Sequence, residues 1–122
     1  MTGAELKRRL TAEMAAYLES YVEPAPGTTI GIPWSKDKIA TEIDQMKVCL
    51  VEPFAAEYKN NDEPGQEPTR RSCWVVATDD TYGLVFDLIA DEYVLVSRSS
   101  SSASNWASFG IRGDAVSTFL AR

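Results

Sequence analysis

From Cys73 to Arg98 the chain reads CWVVATDDTYGLVFDLIADEYVLVSR, with apolar runs at Cys73 to Thr78, Tyr82 to Ile89 and Glu92 to Ser97. Polar breaks containing Asp79-Asp80 and Asp91-Glu92 separate them, a spacing that predicts consecutive strands of an antiparallel meander. Alternate residues divide between two faces: Trp74, Val76 and Thr78 against Cys73, Val75 and Ala77, then Leu84, Phe86 and Leu88 against Val85, Asp87 and Ile89. Both faces are apolar. Helices are therefore expected over one, with a loop, a curved wall or a second molecule over part of the other. Asp87 interrupts this pattern. A buried Asp87 needs hydrogen bonds or a raised pKa, which would make it a candidate acid; facing water it has no special status, and that is the reading adopted.

Upstream, Thr2 and Glu5 form a capping box, and Leu6, Leu10, Met14, Tyr17, Leu18, Tyr21 and Val22 recur at intervals of three and four. This predicts a helix ending near Glu23, before Pro24-Ala25-Pro26-Gly27. Its Lys7-Arg8-Arg9 triplet reads as a solvated face. Pro24 to Pro33 is a connection, and its Gly27-x-x-x-Gly31 lacks the G-K-[ST] of a phosphate loop. Ser35 caps a second helix from Lys36 to about Met46, with Trp34 and Ile39 at staple spacing and Trp34 assigned to the core. Lys47 to Tyr58 reads as a first strand, placed on an edge or bulged at Pro53.

Lys59 to Thr69 contains no apolar residue and is expected to be an exposed, mobile loop without a core anchor. The serine run at 99–104 reads as a long hairpin loop before a last short strand or tight turn near 105–111. Asp114 caps a terminal helix from Ala115 to Ala121 that docks through Val116, Phe119 and Leu120. Helices and strands in separate runs predict an α+β fold: two N-terminal helices, a four- to five-stranded mostly antiparallel sheet and a short C-terminal helix. A chain of 122 residues fits a single domain, spanning 1–122.

The net charge of −6 is uneven. From Glu52 to Glu92 there are ten acidic residues and three basic ones, whereas the rest is almost balanced. That field repels nucleic acid and favours basic partners. No apolar run approaches the roughly 20 residues of a bilayer span, and the N-terminus lacks a secretory pattern, so a cytoplasmic protein is expected. Cys49 and Cys73, each inside a predicted strand, are expected to be buried thiols without a disulfide.

Histidine is absent, which excludes Ser-His-Asp and Cys-His catalysis and, with two cysteines, the usual zinc ligand sets. No catalytic residue, metal or cofactor is assigned, and the composition points away from an enzyme. Three functional readings follow. The first is an acidic protein-binding module, such as an immunity protein or a phage-encoded inhibitor that occupies the nucleic-acid-binding surface of a basic target. It assigns contact to Asp79, Asp80, Asp91 and Glu92. The second is a small-ligand carrier or enzyme with a pocket between helices and sheet lined by Trp34, Tyr82, Phe86, Tyr93 and Trp106. Asp79 and Asp80 are not a catalytic pair, because successive strand residues face apart and in a turn they are turn formers. The third is a structural or assembly role, with homodimerisation through the second apolar face or an edge strand.

Overall fold

The computed structural model describes residues 1–25, 27, 33–98 and 105–122. Two helices, α1 (Gly3–Ser20) and α2 (Lys36–Cys49), precede strands β1 (Leu50–Asn60), β2 (Thr69–Thr78), β3 (Tyr82–Asp87), β4 (Glu92–Arg98) and β5 (Trp106–Gly113), and α3 (Ala115–Leu120) follows. The α+β organisation is the expected one. Consecutive strands pair antiparallel, and β1 meets β5 in parallel through Tyr58↔Trp106 and Lys59↔Ala107, so the sheet closes into a five-stranded barrel.

Closure explains the two apolar faces. Tyr58, Cys73, Val75, Val85, Val94, Val96 and Trp106 come from all five strands and no helix, which makes them the barrel interior. The opposite face, with Val76, Leu84, Phe86, Tyr93 and Leu95, packs under Leu6, Leu10, Met14, Ile39, Ile43, Met46, Val116 and Phe119 of the three helices. The face offered by sequence to a second copy is thus turned inward. A register shift between Val75 and Ala77 moves Ala77 out of the interior set and under the helices.

Local chemistry accounts for the helix ends. Thr2 Oγ1, Ser35 Oγ and Asp114 Oδ2 each accept a hydrogen bond from an otherwise unpaired first-turn amide, at 2.9 to 3.1 Å. α1 stops at Ser20 rather than Glu23, leaving Val22 exposed. α2 runs three residues past Met46, so Lys47–Cys49 are helical and Cys49 ends a helix instead of lying in a strand. The register of β1 on β2 shifts across Pro53, between Leu50 and Phe54, as a bulge. The loop expected from Lys59 is shorter, because β1 continues to Asn60 and β2 begins at Thr69. Most of the 24–33 connection and all of the serine run lie outside the described residues.

Gly83 shows how tightly the interior is filled. A Cβ there would sit 2.9 Å from Cζ3 of Trp106, whose side chain is buried in the barrel. Gly83→Ala is expected to cost ~1–3 kcal/mol through overpacking, measurable by urea unfolding; an unchanged midpoint would mean that the indole moves freely.

Candidate functional site

One end of the barrel is closed by charge rather than by apolar packing. Asp87, the last residue of β3, is 0% exposed and therefore does not face water, contrary to the sequence reading. It accepts hydrogen bonds from Tyr58 Oη at 2.5 Å, Arg71 at 3.2 Å and Arg112 at 3.4 Å, while its Oδ1 accepts from the amides of Ile89 (2.8 Å) and Ala90 (2.9 Å). Arg112 on β5 also donates to Glu92 (2.7 Å), Asp62 (2.8 Å), Asn60 (3.0 Å) and Tyr58 (2.8 Å), and Arg71 pairs with Glu63. Loop, β1, β2, β3, β4 and β5 are tied together at this point.

The electrostatics follow from these contacts. Burial alone pushes the Asp87 carboxyl up, but hydrogen bonds from Tyr58, the Ala90 and Ile89 amides and Arg71 outweigh it and hold the group below the usual carboxylate range. Asp87 is an anion at neutral pH, not a candidate acid. Burial and the Asp87 hydrogen bond raise the Tyr58 phenol, so it stays protonated. Burial pushes the neighbouring Cys73 thiol up to about 12. Cys49 and Cys73 are free thiols, Cys49 half-buried and Cys73 buried. In the folded protein Cys49 is therefore expected to react with iodoacetamide well before Cys73, as read by mass spectrometry.

The carboxylates named from sequence, which could lie at one or both ends of the meander, stand at both. Asp79-Asp80 precedes β3 and Asp91-Glu92 follows its terminal turn, so the pairs stand at opposite ends of a strand of six residues, roughly 20 Å long. Asp79 is a turn former: Oδ1 accepts from the amides of Thr81 and Tyr82, and Oδ2 pairs with Arg122 at 2.7 Å. Asp80 is exposed. Asp91 adopts φ +53° and lies 3.6 Å from Arg9, and Glu92 is bound to Arg112.

Of the five aromatic residues named as a pocket, Tyr82, Phe86 and Tyr93 belong to the cluster between helices and sheet, and Trp34 and Trp106 lie apart from it. Phe86 and Tyr93 pack edge to face at 5.1 Å under the helices, Tyr82 lies against Phe109 at 5.9 Å, and Trp106 is in the barrel. Trp34 is 39% exposed, with Lys38 over its ring, and is not a core residue. Of the five, Trp106 alone lines the large surface groove, of ≈ 980 Å³, which runs along β1 and β2 past Phe54, Trp74 and Arg98.

Sequence reasoning missed Tyr58, Arg71 and Arg112 as partners of Asp87. The signal was strand parity, since Arg71 and Asp87 share the alternation of Cys73, Val75 and Val85. It also missed the anchoring of the loop, where Asp62 and Glu63 hold the two arginines. The exposed tip, 64–68, is a different matter. Replacing 64–68 by a Gly-Ser link is expected to shift the melting temperature little, whereas Asp62→Ala with Glu63→Ala should lower it clearly, because each of two half-buried guanidinium groups loses one carboxylate partner and the loop loses its anchor.

No family model, curated protein or solved structure matches the chain. Among the described residues no group of acidic, histidine or cysteine side chains is placed to hold a metal, and no helix is long and apolar enough to cross a membrane.

Proposed function

We propose that this protein is an acidic protein-binding module that docks on a basic partner through the β3–β4 end of its barrel. The observation that carries the reading is the turn after Asp87. Leu88 and Ile89 are 44% and 74% exposed there, held in one conformation by the Asp87 carboxylate and by the Asp91 amide bonded to the Asp87 carbonyl at 2.9 Å. Around them Glu13, Asp62, Glu63, Asp87, Asp91 and Glu92 share Arg9, Arg71 and Arg112, a surplus of three negative charges. A rigid apolar tip inside an anionic rim suits a hydrophobic recess bordered by lysine and arginine, and a fixed turn loses little entropy on binding. In its specific form the module is an immunity protein or inhibitor occupying the nucleic-acid-binding groove of its target.

Affinity capture should recover a basic protein whose complex weakens as salt rises, exposed charges being screened over about 8 to 10 Å at physiological ionic strength. Asp91→Lys should slow association and Ile89→Asp should speed dissociation, both without loss of fold. A complex indifferent to salt and to both substitutions would sink the reading.

A further inference from the structure

The cations without carboxylate partners point elsewhere on the molecule. Among the described residues Arg8, Lys36, Lys59, Arg70 and Arg98 make no ion pair, and the last three of these border the same pair of cavities. Lys59 and Arg70 are directly opposed on β1 and β2, and like charges in that position destabilise a sheet. Arg98 lies over the Trp106 ring at 4.8 Å, with its Nε buried and unpartnered. Arg70 borders two cavities, the ≈ 980 Å³ groove with Arg98 and an adjoining ≈ 380 Å³ one with Lys59, and both reach Asn105 and Trp106.

The strand register orders the floor of these adjoining cavities, Lys59 lining the smaller and Glu57, Ser72, Ala55 and Trp74 the larger, with Arg70 between them. Successive outward pairs are Lys59 with Arg70, Glu57 with Ser72, and Ala55 with Trp74. Four residues of strand separate the first pair from the last, about 13 Å. Two cations, then a carboxylate beside a hydroxyl, then an indole form a sequence of anion contact, hydroxyl contact and flat apolar contact. That is the order of groups in a phosphate, a pentose and a base. We propose that these two adjoining cavities together bind a mononucleotide, with its phosphate between Lys59 and Arg70, its pentose hydroxyls at Glu57 and Ser72, and its base against Trp74. A polynucleotide fits less well, because the chain's net charge of −6 opposes a polyanion. Leu88 of the β3–β4 turn borders the groove, but the contacts proposed here lie on β1 and β2 and do not depend on the reading above.

The test is titration of the whole protein with the 5′-monophosphates of adenosine, guanosine, cytidine and uridine, followed by amide and indole NMR signals and by calorimetry. At least one nucleotide should shift Arg70, Ser72 and the Trp74 indole. Ribose 5-phosphate and the matching nucleoside should bind at least roughly tenfold more weakly, since each lacks one contact. Lys59→Gln and Arg70→Gln should weaken binding by about as much while leaving the apo melting temperature unchanged or higher, because they relieve the like-charge pair. Glu57→Gln should weaken the nucleotide but not inorganic phosphate. The proposal is overturned if no nucleotide binds at millimolar concentration, or if inorganic phosphate binds as tightly as the nucleotide. Arg70→Gln binding like wild type, or single-stranded RNA binding more tightly than any monomer, would also overturn it.

Discussion

Asp87→Ala should lower unfolding free energy by roughly 3 to 5 kcal/mol, the cost of removing one partner from a buried ion pair, against the 5 to 15 kcal/mol typical of a whole domain. The substitution leaves Tyr58 Oη and the amides of Ile89 and Ala90 without their acceptor, and Arg71 and Arg112 each lose one carboxylate. The two guanidinium groups keep Glu63, Asp62 and Glu92, and both reach solvent at the barrel end, which places the expected cost toward the lower figure. Asp87→Asn retains an acceptor for the turn amides but not the charge, so it should fall between wild type and alanine. Urea unfolding orders the three proteins; an alanine variant as stable as wild type would mean that water replaces the carboxylate at no cost.

The same residue sets an acid dependence. Its folded pKa lies below the unfolded carboxylate value of about 3.9, so its contribution is fully present above that value and is lost as pH falls through the folded pKa. Asp79 behaves alike. Burial opposes its ionisation, but the Tyr82 and Thr81 amides and Arg122 outweigh this and lower its pKa. Wild-type stability should therefore drop below about pH 4, and Asp87→Asn should show a shallower drop over the same window.

Leu10→Ala, on the buried stripe of α1, is expected to cost ~2 to 5 kcal/mol. Leu10 is 3% exposed in a cluster that joins all three helices to the sheet, so neighbours held on other elements can close the cavity only in part. Lys7→Ala, one turn earlier and off the stripe, should cost well under ~1 kcal/mol, because Lys7 and its partner Glu52 are both largely exposed. Equal costs would mean that α1 does not pack as a core helix.

What could be read from sequence was whatever depends on neighbours along the chain. The caps at Thr2, Ser35 and Asp114, the stripe of Leu6, Leu10 and Met14, the bulge at Pro53 and the meander from Cys73 to Ser97 follow from periodicity and local hydrogen bonding. The α+β class follows from their order.

Closure of the barrel was decided only in three dimensions. Two apolar strand faces are equally compatible with an open sheet against a partner and with a sheet rolled onto itself, and the parallel contact of Tyr58 and Lys59 with Trp106 and Ala107 joins residues nearly fifty positions apart. The fate of Asp87 depended on that closure. A lone carboxylate in an apolar strand is stable in the interior only where cations from other strands reach it, and Arg71 and Arg112 do so because the closed register carries them to the same end. The loop that supplies Asp62 and Glu63 looked free for the same reason: its polar composition records solubility, while its anchoring comes from arginines distant in sequence. The proposed nucleotide groove is likewise a product of register, since the pairing of β1 with β2 sets Lys59 opposite Arg70 and places Glu57 and Trp74 in line behind them.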